Sequence, residues 1–278
     1  MTPLVTTEWL AAHIGAPDVR VADASWYLPQ AGRDAKAEYA AAHIPRAVFF
    51  DIDDLSDETS PLPHMLAPGV KFASRMRKLG LGDGNLIVVY DGAGIYSSPR
   101  AWWMLRTMGH EDVAVLDGGL PKWRAEGRVL EDMAAPSYPR HFTPRHNNAL
   151  VRDFGQMLAI QRGRLARILD ARSAPRFAGE EKEPRPGVRR GHIPGSVNLP
   201  YSQLVTPEGT LRPAAELAAL FAERGIDLSG PIVTTCGSGI TAAIEMLALA
   251  VAGAHDVALY DGSWAEWGAR AEAPVETG

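Results

Sequence analysis

Cysteine is nearly absent from this chain: one thiol, Cys236, stands among 278 residues. That excludes an internal disulfide and any site built from several thiolates, and it suits a reducing compartment, so the chain is expected to work in the cytoplasm. Also missing is any long run of Lys or Arg. With a formal net charge of -5, the chain lacks the clustered basic face that phosphate backbones require, and nucleic acid is excluded as a partner class. No Lys or Arg precedes Arg20 and no sustained apolar core follows the amino terminus, so the start reads as mature sequence and not as a secretory leader. The most apolar stretch, Ala242 to Ala254, contains Glu245 and falls short of the roughly 20 apolar residues of a membrane-spanning helix.

What is present is an ordinary globular composition, 46% hydrophobic and 22% charged, at a length that suits two domains of roughly 150 residues each. The chain also repeats itself once. Val21-Ala22-Asp23-Ala24-Ser25 answers Ile168-Leu169-Asp170-Ala171-Arg172, His43-Ile44-Pro45 answers His192-Ile193-Pro194, and Leu86 to Asp91 answers Pro231 to Cys236. Asp117-Gly118-Gly119 with Trp123 answers Asp261-Gly262-Ser263 with Trp267, and the offsets drift only between 144 and 149 residues. A period this long means duplicated domains, since solenoid units run about 20 to 50 residues. The expected organisation is an N-terminal domain over 1–130, a Pro-containing polar linker over 131–148 and a C-terminal domain over 149–278. Short β-branched runs alternate with stretches of helical spacing in each half, which predicts an α/β fold: two domains, each a mostly parallel sheet with helices on both faces. Ligands of such sheets sit beyond the carboxyl ends of the strands, where Cys236 falls.

Ile232 to Ala242 reads as a buried strand, a tight turn with Gly237 and Gly239, and a helix start near Thr241. Glycines permit positive φ and close backbone approach, so successive amides can point inward, and the helix adds its own free N–H groups and dipole. A thiol held there is expected to ionise more readily than usual and to act as a nucleophile. A free cysteine is more often an inert small hydrophobe, but a core cysteine has no reason to be followed by Gly-Ser-Gly at a strand end. The first half has Asp91-Gly92-Ala93-Gly94 at the matching place, so its domain is expected to be catalytically silent. A cysteine phosphatase would need an arginine six positions after the cysteine and a histidine before it; here those positions hold Ala242 and Thr235.

The loop Cys236-Gly-Ser-Gly-Ile-Thr241, the His-Ile-Pro signatures at His43 and His192, the stretch DASWYLP from Asp23, FFDID ending at Asp53 and DGSWAEW from Asp261 together resemble the tandem rhodanese-type sulfurtransferases over nearly the whole chain. Within them the chain is similar to the branch that uses 3-mercaptopyruvate, whose loop reads Gly-Ser-Gly-Val-Thr, whereas thiosulfate users place basic residues directly after the cysteine. The resemblance implies sulfur transfer through a Cys236 persulfide, with Cys236, Ser238, His64 and Asp53 as the catalytic set. It assigns Gly237, Gly239, Ile240 and Thr241 of the loop, with Arg176 and Arg185, to donor binding. Arg176 to Arg185 reads as a polar loop, and an arginine there is as readily a solvated surface ion pair as a ligand. His64, in Ser60-Pro61-Leu62-Pro63-His64-Met65, reads from its neighbours alone as an exposed loop histidine. His43 and His192 occur in both repeats and are assigned to structure, and Trp264 and Trp267 to core or interface packing. No metal or organic cofactor is called for. With no second cysteine the persulfide has no internal acceptor, so the partners are a small-molecule sulfur donor and an external acceptor: a small thiol, cyanide in the test tube, or a thioredoxin-like protein. The alternatives are a thiosulfate:cyanide sulfurtransferase and a non-catalytic binding module.

Overall fold

Runs such as Leu86–Tyr90 and Ile232–Thr235 are apolar or β-branched throughout because both faces of their sheets are covered, which leaves no alternating polar side. In the computed structural model, which describes residues 2–136 and 138–278, such runs form two sheets. The chain divides into two compact units. The first contains the chain up to Glu58, Leu66–Asn147 and Val205–Leu211; the second contains Thr59–Met65, Asn148–Leu204 and Arg212–Gly278.

The first unit holds β1 (Leu4–Val5), α1 (Thr7–His13), β2 (Val19–Asp23), α2 (Ala35–Ala41), β3 (Ala47–Phe49), α3 (Gly69–Leu79), β4 (Leu86–Tyr90), α4 (Ser98–Thr107), β5 (Val113–Leu116) and α5 (Gly119–Ala125). Its sheet is parallel in every pairing, ordered β1-β5-β4-β2-β3. Residues 131–136 and 138–147, polar and punctuated by proline, run along this unit. Glu131 exchanges two backbone hydrogen bonds with His43, and Phe142 is buried 5.5 Å from the ring of Phe72. The amides of Arg145 and Asn147 reach the carbonyls of Met108 and Thr107.

The second unit repeats the plan with β6 (Val151–Arg152), α6 (Phe154–Gly163), β7 (Arg167–Asp170), α7 (Ala174–Ala178), β8 (Val197–Asn198), α8 (Ala214–Glu223), β9 (Ile232–Thr235), α9 (Ala242–Val251), β10 (Val257–Tyr260) and α10 (Ser263–Trp267). Its parallel order is β6-β10-β9-β7-β8. Starting from β7, the chain goes to β8 on one side and then crosses to β9 on the other. The segments leaving β7 and β9 therefore diverge, which opens a crevice at their carboxyl ends. Helix α9 is buried along its first eight residues, as its apolar composition requires. Among the described residues no helix is long and apolar enough to cross a membrane.

Candidate active site

Strand β9 is the middle strand of its sheet, and Cys236 is the first residue past its end. Gly239 takes φ +81°, a left-handed conformation that favours glycine, and this turns its amide inward to donate to Cys236 Sγ at 3.1 Å. The segment leaving β10 fastens the loop from the other side. The Trp264 amide donates to the Cys236 carbonyl and the Ala265 amide to the Gly237 carbonyl, both at 2.9 Å, while the Cys236 amide meets Ser263 Oγ at 3.4 Å. Cys236 is only 2% exposed, so the sulfur lies inside the loop and not at its mouth.

His64 belongs to the same unit, through the segment Thr59–Met65. It is not an exposed loop residue: it is 8% exposed, and its Nδ1 stands 3.1 Å from Ser238 Oγ. Its φ of +60° is rare for a residue with a side chain, a cost of order 1 kcal/mol that such positions carry where surrounding structure over-determines them. Asp53 belongs to the first unit, where its Oδ2 accepts from the Trp26 indole at 3.1 Å.

The crevice between the ends of β7 and β9 brings the donor-binding candidates to the cysteine loop. Arg176 does not lie in a loop: the short helix α7 starts at Ala174 with Pro175 in its first turn, and Gly179, at φ +82°, ends it, with Arg176 inside. A Cβ at Gly237 would stand 3.0 Å from Arg176 Nη2, so the guanidinium occupies the space that a side chain there would fill. Arg185 is half-buried, and burial draws its guanidinium below its ordinary value while the charge on Cys236 pulls it back up. Ile240 is buried, and Thr241 immediately precedes α9, as the sequence predicts.

Sequence reasoning missed the ionic lattice behind Arg176. Arg172 is fully buried, forks onto Asp170 at 2.7 Å and reaches Glu183 at 2.9 Å, and Glu183 in turn holds Arg176. The signal available was the triplet Asp170-Ala171-Arg172, an acid and a base on one side of an extended segment. The structural histidines behave as expected. His43 stacks on Tyr39 and bonds its carbonyl, and His192 does the same with the ring and carbonyl of Phe177. Trp264 and Trp267 are buried. Among the described residues no group of three His, Cys, Asp or Glu side chains is placed to hold a metal ion.

The matching loop of the first unit is closed on itself. Asp91 is buried, and its Oδ2 accepts from the amides of Tyr96, Ser97 and Ser98 at 2.9–3.0 Å and from Ser98 Oγ at 2.6 Å, while Oδ1 accepts from the Ala93 amide. The carboxylate thus fills the anion cradle at the start of α4.

Two segments, 6–126 and 153–270, match the model of the rhodanese-like domain. The chain is 48% identical to the 3-mercaptopyruvate sulfurtransferase of Escherichia coli K12, covering 99% of this chain and 98% of that protein. It is 42% identical to the human 3-mercaptopyruvate sulfurtransferase, over 96% of this chain and 92% of that protein, and 40% identical to rat thiosulfate sulfurtransferase, over 99% and 94%. The crystal structure of SseA from E. coli superimposes with a TM-score of 0.87 at 44% identity, covering 95% of this chain and 99% of that one.

Proposed function

The chain belongs to the rhodanese-like domain family, and we propose that it moves sulfur from 3-mercaptopyruvate to an external thiol through a persulfide on Cys236, releasing pyruvate. The observation that carries this reading is the lone thiol of the chain held at a strand end with a backbone amide, that of Gly239, aimed at its sulfur from 3.1 Å. Such a donor stabilises negative charge on sulfur, whether the attacking thiolate or the leaving thiolate of the second half-reaction.

In the first half-reaction the Cys236 thiolate attacks the donor's sulfur. The donor's carbon–sulfur bond breaks, its electron pair remains on carbon as pyruvate enolate, and protonation at carbon gives pyruvate. Ser238 and His64, within hydrogen-bond reach of each other, relay the proton. Arg176 and Arg185 pair with the donor carboxylate, with the loop residues Gly237, Gly239, Ile240 and Thr241 around the reacting sulfur. In the second half-reaction an acceptor thiolate takes the outer sulfur and Cys236 leaves as thiolate, which gives ping-pong kinetics. The acceptor comes from outside because the chain has no second thiol, and a thioredoxin-like protein in a reducing cytoplasm meets that need.

The test is intact mass. After incubation with 3-mercaptopyruvate the protein gains one sulfur atom and pyruvate appears; a Cys236→Ser protein that still gained it would overturn the assignment. Comparison of the two donors at saturation separates this reading from a thiosulfate sulfurtransferase. The absence of a basic residue between Cys236 and Thr241 favours the carboxylate donor.

A further inference from the structure

A guanidinium offers two usable edges, the side edge of Nε with one Nη and the end edge of both Nη atoms. Arg176 spends its side edge on Glu183: Nη2 donates to Oε2 at 2.5 Å and Nε to Oε1 at 3.3 Å. Its end edge faces the cysteine loop, where a Cβ at Gly237 would lie 3.0 Å from Nη2 and 3.7 Å from Nη1. Glu183 is itself immobilised. Its side chain is 4% exposed and bridged to Arg172, which is fully buried, bound to Asp170 and to the Gly191 carbonyl, and stacked 4.3 Å from the Trp264 ring. Trp264 is the residue whose amide clamps the Cys236 carbonyl. Rigid contacts thus run from the loop through Trp264, Arg172 and Glu183 to the guanidinium above the loop.

We propose that Glu183 is a positioning residue for sulfur transfer: anchored by Arg172, it fixes Arg176 so that the end edge of its guanidinium stands over Gly237 to receive the donor's carboxylate. The lattice keeps a long, flexible side chain in one orientation before substrate arrives, and a pre-oriented fork loses less freedom on binding. Gly237 supplies the vacancy that the fork fills, so charge on the donor is met from α7 and not from the loop. This rests on the reading of the site as one that binds an α-keto acid.

Kinetics of the full chain test it with Glu183→Gln, Arg176→Ala and the double variant. Glu183→Gln is expected to raise KM for 3-mercaptopyruvate about tenfold, with a smaller change in kcat, and to add nothing once Arg176 is alanine. A KM that stays put or falls, as simple removal of a competing carboxylate would produce, rejects the proposal, and so do effects that multiply in the double variant. Should the Gln variant fold poorly, Glu183→Asp keeps the charge but stops one methylene short of Arg176, and the same rise in KM is expected. A second measurement needs no donor: the ratio of Cys236 alkylation rates with iodoacetate and iodoacetamide reads cationic aim at the sulfur. That ratio should fall in Glu183→Gln towards its value in Arg176→Ala, and an unchanged ratio counts against Glu183. If Arg176→Ala alters neither KM nor the ratio, the carboxylate-binding reading itself fails and takes this proposal with it; if only Glu183→Gln is without effect, positioning alone is rejected.

Discussion

Asp91 and Cys236 sit at the same place in the two repeats, after the middle strand of a parallel sheet and before Gly-x-Gly-Ile, and each has its carbonyl bonded by the segment after the last strand, from Leu120 and Trp264. Their surroundings differ in charge. The carboxylate of Asp91 collects four amides and a hydroxyl, so the first cradle is filled by the chain itself. The first loop also lacks a thiol. Nine positions further on, the first repeat buries Arg100, stacked 4.2 Å from the Trp103 ring, whereas the second buries Glu245. Among the described residues neither carboxyl oxygen of Glu245 has a hydrogen-bond partner, and burial, then the charges of Asp170 and Cys236, pushes its carboxyl well above the usual range.

The largest effect should come from writing one loop into the other. Cys236→Asp is expected to abolish sulfur transfer, a loss of at least ~10³-fold in kcat/KM, while leaving the unit folded, because the start of α9 offers amides like those that Asp91 uses. Retention of turnover in a pyruvate-release assay would break the comparison. Next, Asp91→Ala strands buried donors and should cost about 3–5 kcal/mol in stability, read from denaturant midpoints; a change below about 1 kcal/mol would mean that the carboxylate does not organise the loop. Third, Asp23 faces Ser25 where the second repeat pairs Asp170 with Arg172, and burial, partly offset by Ser25, pushes it up to about 6 from 3.8. The folded chain therefore keeps this proton where the unfolded chain has released it. Stability from this group is full below pH 3.8 and lost as pH rises through about 6, a difference of about 3 kcal/mol at most. Asp23→Asn should flatten melting temperature against pH over that window, and an unchanged slope removes Asp23 as its source. The smallest effect is at Glu245: Glu245→Val removes an unpartnered buried carboxyl and should stabilise the second unit by about 1–2 kcal/mol in chemical denaturation. Destabilisation would show that the carboxyl has a partner after all.

Much of the fold is legible in the residues because its signals are local. Strands Leu86–Tyr90 and Ile232–Thr235, the glycine turn and the helix after Thr241 announce themselves through side-chain branching, backbone freedom and hydrophobic spacing, each acting within a few positions. Arg176 reads as a loop residue because its helix is only five residues long, too short for periodicity to register. His64 reads as exposed because the two prolines before it describe the chain's path and say nothing about what packs over it.

By itself, then, the sequence determined the duplication, the α/β architecture and the identity of the single nucleophile candidate, since each follows from composition, repetition or short-range chemistry. Only the tertiary structure decided that the sulfur is buried, that Asp91 fills its own cradle, and that Glu183 ties Arg172 to Arg176 beside Gly237. The place of Arg176 beside Gly237 depends on which strand ends become neighbours. Strand order is set by long-range pairing, and no stretch of neighbouring residues encodes it.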